Sequence, residues 1–186
     1  MNSNGAITSE TLERIFIDSG MVVKDYGLAT YTEIGATRGG NTFTVEREYR
    51  DMEVDGFRGK VKGYKRIISV SASITANFIE LSTGILSRAL PGATTTTTSG
   101  PATHDEIKAN LKIAVAEYMT NLAIVGDVMG KAQSVVCMIE NALADGGFEL
   151  GFTDKEESVL AVTFSAHWDA TKLNGAEPWR IFTPKV

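Results

Sequence analysis

ISVSASITANF, residues 68 to 78, alternates without a break. Ile68, Val70, Ala72, Ile74, Ala76 and Phe78 fall on one side, and Ser69, Ser71, Ser73, Thr75 and Asn77 on the other. A period of two is the period of a β-strand, so the spacing predicts a strand with one buried face and one wet face. Upstream, TFTVEREYR (42–50) repeats the pattern. Phe43, Val45 and Tyr49 share a side with Arg47 as the odd member, and Thr42, Thr44, Glu46, Glu48 and Arg50 take the other. Between the two runs lies a charged stretch. Glu46, Glu48, Asp51, Glu53 and Asp55 lead out, and Arg58, Lys60, Lys62, Lys65 and Arg66 lead back, with Phe57 and Tyr64 interleaved. Acids on the way out and bases on the way back describe a hairpin that can pair with itself or with a copy of itself.

The rest of the chain is read outward from this hairpin. Residues 1–14 are polar and read as a flexible N-terminal arm. Ile15–Val23 reads as a first strand broken at Ser19-Gly20, and Gly35, Gly39 and Gly40 mark a turn. Ser82–Leu90 reads as a short helix, with Ser82 as its N-cap, Leu81, Ile85 and Ala89 on one side, and Pro91-Gly92 as its stop. A Thr-rich loop spans 91–105 and is expected to be disordered in an isolated subunit. Ile107, Leu111 and Val115 fit a helix face, and strand character begins at Tyr118. Val135–Ile139 is a buried strand or a helical turn, Asp145-Gly146-Gly147 a turn, and Phe148–Phe152 a short strand. Ser158–Trp168 places Leu160, Val162, Phe164, Ala166 and Trp168 on one face, and Trp179–Phe182 is a last strand before the tail, 183–186. The expected fold is mainly β, a sandwich or barrel-like single domain over 1–186. It carries a flanking short α-helix and a long charged loop between its second and third strands.

Composition narrows the function. The 186 residues are 43% apolar and 22% charged, enough for one real core. A net charge of −5 argues against general nucleic-acid binding, which needs a basic face. Cys137 is the only cysteine, so no internal disulfide forms. The N-terminus shows no signal-peptide pattern, and no apolar run approaches the ~18 residues of a membrane span.

Candidate chemistry fails on its own requirements. Asp51, Glu53 and Asp55 followed by Gly56 imitate a calcium loop, but the twelfth position, which must supply a bidentate acid, is Lys62. Gly126–Ala132 imitates a phosphate loop with its first glycine one residue too close and Ala132 where Ser or Thr holds magnesium, so a β-turn between strands is expected. His167, Trp168 and Asp169 suggest a base and its orienter, yet no serine sits in a nucleophile elbow; the simpler reading is a rim histidine with Trp168 in the core. Cys137, between apolar neighbours, reads as a small core residue. No catalytic, metal or cofactor residue is assigned.

The order of these segments resembles a known family. A glycine-rich turn, a strand, "DMEVDGFRGKVKGYKR", an alternating strand and "LSTGILSRALPG" come first. "EYMTNLAIVGDVMGK", "IENALADGGFELGFTDKEESVLAVTFSAHWD" and "EPWRIFTP" follow. Over residues 15–184 this resembles the major tail proteins, or tail tube proteins, of long non-contractile-tailed bacteriophages. The resemblance implies a structural virion protein and not an enzyme. In that family six subunits form a ring, inner strands join into one β-barrel, and rings stack into the tube through which DNA is ejected.

The resemblance also implies roles for named residues. The loop 51–65 would stack one ring on the next, through Asp51, Glu53, Asp55, Phe57, Arg58, Lys60, Lys62 and Lys65. The expected partners are further copies of the chain and tape-measure, tail-tip and tail-terminator proteins, with DNA passing unbound and no membrane. The expected location is the virion tail, and the host cytoplasm during assembly. Glu46, Glu48, Ser69, Ser71, Ser73, Thr75 and Asn77 are the candidate lumen-facing residues, since a phosphate strand in transit must not stick to its conduit; alternation alone leaves open which face is inward. The alternatives are a tube protein of a contractile tail or secretion device, and a monomeric β-sandwich binding module with Trp168 and Trp179 as its strongest aromatic candidates.

Overall fold

The computed structural model describes residues 15, 18, 20–53, 55–56, 58–97, 104–108, 110–128, 131–152, 154–155, 157–172 and 176–185. The N-terminal arm expected over 1–14 lies outside them, as does Phe57. The strands are β1 (Met21–Lys24), β2 (Thr32–Glu33), β3 (Thr42–Asp51), β4 (Lys65–Phe78), β5 (Thr94–Thr96), β6 (Glu106–Lys108), β7 (Met119–Gly126), β8 (Val135–Ala144), β9 (Leu160–Ser165) and β10 (Trp179–Phe182). The α-helix α1 (Thr83–Ala89) follows β4. The protein is mainly β, a sandwich-like antiparallel fold with a short helix at its flank.

Two layers share one strand. The first runs β2-β1-β7-β8, with β10 on the far side of β8; the second runs β9-β4-β3. They join where the end of β8 leaves β10 and pairs with β9, through Leu143 opposite Ser165 and Ala144 opposite Phe164. A local break makes this possible. Met119 and Ala142 face the main core together with Leu122 and Ile139, although strict alternation would put them on opposite faces. Asn141, in the left-handed conformation at φ 49°, absorbs the change, which asparagine tolerates better than most residues.

The main core lies between the layers. Ala72, Ile74, Ala76 and Phe78 of β4, with Leu160, Val162 and Phe164 of β9, meet Val22, Leu122, Ile124 and Ile139. Ile85 and Ala89 of α1 close it. Ile74 and Phe78 are fully buried, each contributing about 1.5–3 kcal/mol of apolar burial. Val23, Ala123, Val136 and Met138 form a second cluster on the other face of the first layer, so β1, β7 and β8 are buried on both sides. Hence their sequences run apolar rather than alternating.

Short-range signals place the helix and turns. The Ser82 side chain accepts from the Ile85 N–H at 3.3 Å, the expected N-cap. Leu81 stays exposed while Ile85 and Ala89 are buried. At the turn into β3, Gly39 and Gly40 both take positive φ (84° and 87°), where a side chain would be strained.

Four expectations are corrected. The described residues of 104–114 form no helix; Glu106–Lys108 is β6, paired with β5 in the Thr-rich segment, and a 3₁₀ turn follows at Val115–Glu117. The helical spacing had no core to meet, since Leu111 and Val115 stand in solvent. The Thr-rich segment is correspondingly strand at Thr94–Thr96. Phe148–Phe152 is not a strand, and Phe152 is exposed. Finally, β9 stops at Ser165, so Trp168 leaves the core and is 43% exposed. Because β2 adds a two-residue strand, the long charged loop joins β3 to β4.

Candidate assembly surface

The β3–β4 hairpin outgrows its own sheet. From Ser73 to Thr75, β4 has β3 on one side and β9 on the other, and from Ala76 to Phe78 it pairs with β9. From Lys65 to Ser71 it pairs with β3 alone. At about 3.4 Å per residue the free half extends roughly 20 Å beyond the sheet. A bulge where Glu48 meets Ser69 and Tyr49 meets Ile67 leaves Ile68 as the extra residue and adds local twist.

The free half is ordered by short-range contacts. The Met52 N–H donates to the Tyr64 carbonyl at 2.9 Å, Asp51 meets Lys60 Nζ at 3.2 Å, and Lys65 Nζ lies 4.6 Å from the Tyr49 ring centroid. Its surface is unusual for a free one. Tyr49, Met52, Tyr64, Ile67 and Ile68 are all exposed, Ile68 at 55%. Arg50 and Arg66 sit directly opposite each other across the ladder. Like charges facing across strands destabilise a hairpin unless something neutralises them. Of the residues expected to stack, Glu53, Asp55, Arg58, Lys60, Lys62 and Lys65 are exposed on this arm, and Asp51 is half-buried at the far end of its ladder.

Glu46, Glu48, Ser69, Ser71, Ser73, Thr75 and Asn77 lie together on one face of the second layer, opposite the core. The register pairs Glu46 with Ser71, Glu48 with Ser69, Thr44 with Ser73 and Thr42 with Thr75. Sequence reading missed the continuation on β9, although the alternation of Ser158–Trp168 carried the signal. Thr163 lies opposite Thr75 with the two hydroxyls 3.0 Å apart, and Ser165 lies opposite Ser73. The face is thus a strip of hydroxyls and an amide with two carboxylates towards the arm.

Arg47, the odd member of the inner face, holds the root of the arm. Its guanidinium reaches Glu177 at 2.7 Å and lies 5.4 Å from the Trp179 ring centroid. The Trp179 indole N–H donates to the same Glu177 oxygen at 2.7 Å, and Phe43 packs beside Trp179 with ring centroids 6.3 Å apart. The Glu177 hydrogen bond keeps the Arg47 pKa above its ordinary value. Trp179 is therefore spent inside the fold, fastening β3 to β10.

The other motifs find structural employment. The His167 ring packs edge-on against Tyr118, and its Nδ1–H donates to the carbonyls of Asn141 (3.2 Å) and Ser165 (3.1 Å). Asp169 accepts from the Thr171 hydroxyl and N–H, which holds its carboxyl below the usual range. His167 is thus half-buried and Trp168 exposed, the reverse of the expected placement. Gly126 ends β7, which pairs antiparallel with β8, and part of the Gly126–Ala132 motif lies outside the described residues. Cys137 sits half-buried in β8, and burial pushes its thiol pKa up. Among the described residues no helix is long and apolar enough to cross a membrane.

No protein-family model matches the chain, and no curated protein is significantly similar to it. Two solved structures are similar at a low level. One is the tail of an empty gene transfer agent particle with C6 symmetry: 12% identity, 81% of this chain and 92% of that one, TM-score 0.41. The other is the virion of a native gene transfer agent particle: 12% identity, the same coverages, TM-score 0.40. A likeness at this level fixes neither topology nor function.

Proposed function

We propose that this chain is a non-enzymatic structural subunit that assembles with its own copies into the hollow tube of a phage-type tail. The observation that carries the reading is the free half of the β3–β4 hairpin, which is charged, exposes apolar side chains and, among the described residues, pairs with no third strand. A monomer gains nothing from exposing Tyr49, Ile67 and Ile68 on an arm, whereas a subunit of a polymer buries them. The open outer edge of β3 supports the same reading, because pairing around a ring removes an edge that otherwise invites aggregation. In a six-membered ring the polar strip from Glu46 to Asn77 lines the channel. Hydroxyls and carboxylates there let DNA slide without ion pairs to break.

Electron microscopy of the purified chain, alone and seeded with tail tips, tests this directly. Rings or hollow tubes with the β3–β4–β9 hydroxyl strip towards the channel are expected. A chain that stays monomeric even on seeds refutes the tube. The exposed Trp168 favours one second reading, a monomeric sandwich that binds a ligand through aromatic contact; Trp168→Ala would then abolish binding on a glycan or host-protein array and leave the oligomeric state untouched.

A further inference from the structure

We infer that the arm of one subunit docks in an acidic groove at the opposite end of a second copy, so that the contact is head to tail. This rests on the tube reading and names the receptor that the reading leaves open.

The two surfaces lie at opposite ends of β4. Lys65 and Arg66 open the strand's ladder with β3, and Phe78 ends the strand. Just beyond Phe78 lies a groove of about 650 Å³, lined by Met21, Glu33, Gly35, Thr37 and Glu80, with Asp18 at its rim. Among the described residues no basic side chain lines it. The nearby Arg38 is already paired with Glu157. Glu33 belongs to β2, the far edge strand of the first layer, and Glu80 leans on the groove floor, where Oε2 accepts from the Ala36 N–H at 3.4 Å. Met21 on the groove lining is exposed, as are Ile79 and Leu81, the chain neighbours of Glu80. The groove is therefore acidic, apolar at its lip, and bounded by an open strand edge.

The arm is the complement on each count. Residues 50–66 carry six basic side chains against three acidic ones. The Arg50–Arg66 pair is the part of the arm that most needs carboxylates, and Glu33 and Glu80 supply two. Ile67, Ile68 and Tyr49 meet Met21, Ile79 and Leu81. Because donor and receptor surfaces differ and lie about 45 Å apart along one strand, copies joined this way make an open stack and not a closed pair. A symmetrical arm-to-arm contact would instead bring four arginines together.

The test reverses each side and then both. Arg50→Glu with Arg66→Glu, and separately Glu33→Lys with Glu80→Lys, should each reduce pelleted tube mass from seeded assembly at least about tenfold, while the melting curve of the monomer is unchanged. The four substitutions together should restore it to within about twofold, since both signs are exchanged. Normal tubes from the groove variant, or no recovery in the fourfold variant, overturn the docking while leaving the tube reading intact. If wild-type chain forms no tubes on seeds, the tube reading itself falls. Should the arm variant build normal tubes yet lose binding to a DNA oligonucleotide, the arginines serve phosphate and the docking is overturned. A second measurement covers variants that fail to fold: Arg66→Cys with Glu80→Cys in a Cys137→Ser background. Oxidised tubes should give a disulfide ladder of chains, and tubes without a ladder refute the contact.

Discussion

Arg47 of β3 and Glu177, just ahead of β10, lie 2.7 Å apart, and the Trp179 indole shares the same carboxylate oxygen. One acid thus ties the root of the arm to the last strand. Glu177→Ala should free the Trp179 ring and lower the thermal midpoint. In a Trp168→Phe background, Trp179 emission should shift to the red. Glu177→Gln should keep the indole bond and show a smaller shift.

Ile74 and Ile68 lie on the same strand and have opposite fates. Ile74→Ala empties a fully buried site and should cost about 2–5 kcal/mol by denaturant unfolding. Ile68→Ala removes an exposed side chain and should leave stability within about 0.5 kcal/mol, while slowing tube growth. Equal stability losses at the two positions would contradict the free arm.

Reversing Arg58, Lys60 and Lys62 together tests the arm tip. The ion pair of Lys60 with Asp51 is exposed on the lysine side, and such a pair contributes about 1 kcal/mol at most. The monomer should therefore fold normally and fail to stack. Tubes of ordinary length from this variant would remove the tip from the interface.

Asn121 is one of the few buried polar residues of the first layer. Its side-chain oxygen accepts from the Tyr26 N–H at 2.7 Å, and its amide donates to the Tyr26 carbonyl at 3.2 Å. Asn121→Ala strands both backbone groups beside the second cluster and should cost about 2–4 kcal/mol, seen as a lower denaturation midpoint with unchanged slope.

Cys137 should react slowly with alkylating reagents near neutral pH, because burial raises its thiol pKa. The linkage has a definite sign. Stability from the protonated thiol is full below its ordinary pKa and is lost as pH rises through the raised one. Cys137→Ala should flatten that alkaline decline in a melting series, and rapid alkylation of native protein at neutral pH would contradict the buried thiol.

Much of the fold was legible where one face of a strand is wet. The alternations of Thr42–Arg50 and Ile68–Phe78 located β3 and β4, and Ser82 with Pro91-Gly92 bounded the helix. Legibility failed where periodicity had no burial behind it. Ile107, Leu111 and Val115 keep helical spacing around an exposed segment, and Trp168 continues an alternation past the end of its strand. Arg47 looked like a flaw because its partner, Glu177, lies 130 residues away. The polar strip was read residue by residue, but its extension onto β9 depended on strand order, which local pattern does not encode. The groove at Glu33 and Glu80 was invisible for the same reason, since β2, the turn before β3 and the end of β4 meet only in the folded chain.

The strand shared by the two layers has a mechanical consequence. In a sandwich joined only by side chains, the layers can slip by repacking. Here β8 is hydrogen-bonded to β7 and β10 in one layer and to β9 in the other, so slip would have to rupture its ladder at Leu143 and Ala144. A push on the arm enters β4, crosses to β9 and reaches the opposite layer through backbone rather than through a greasy seam. A backbone joint of this kind should resist shear between the layers better than side-chain packing alone.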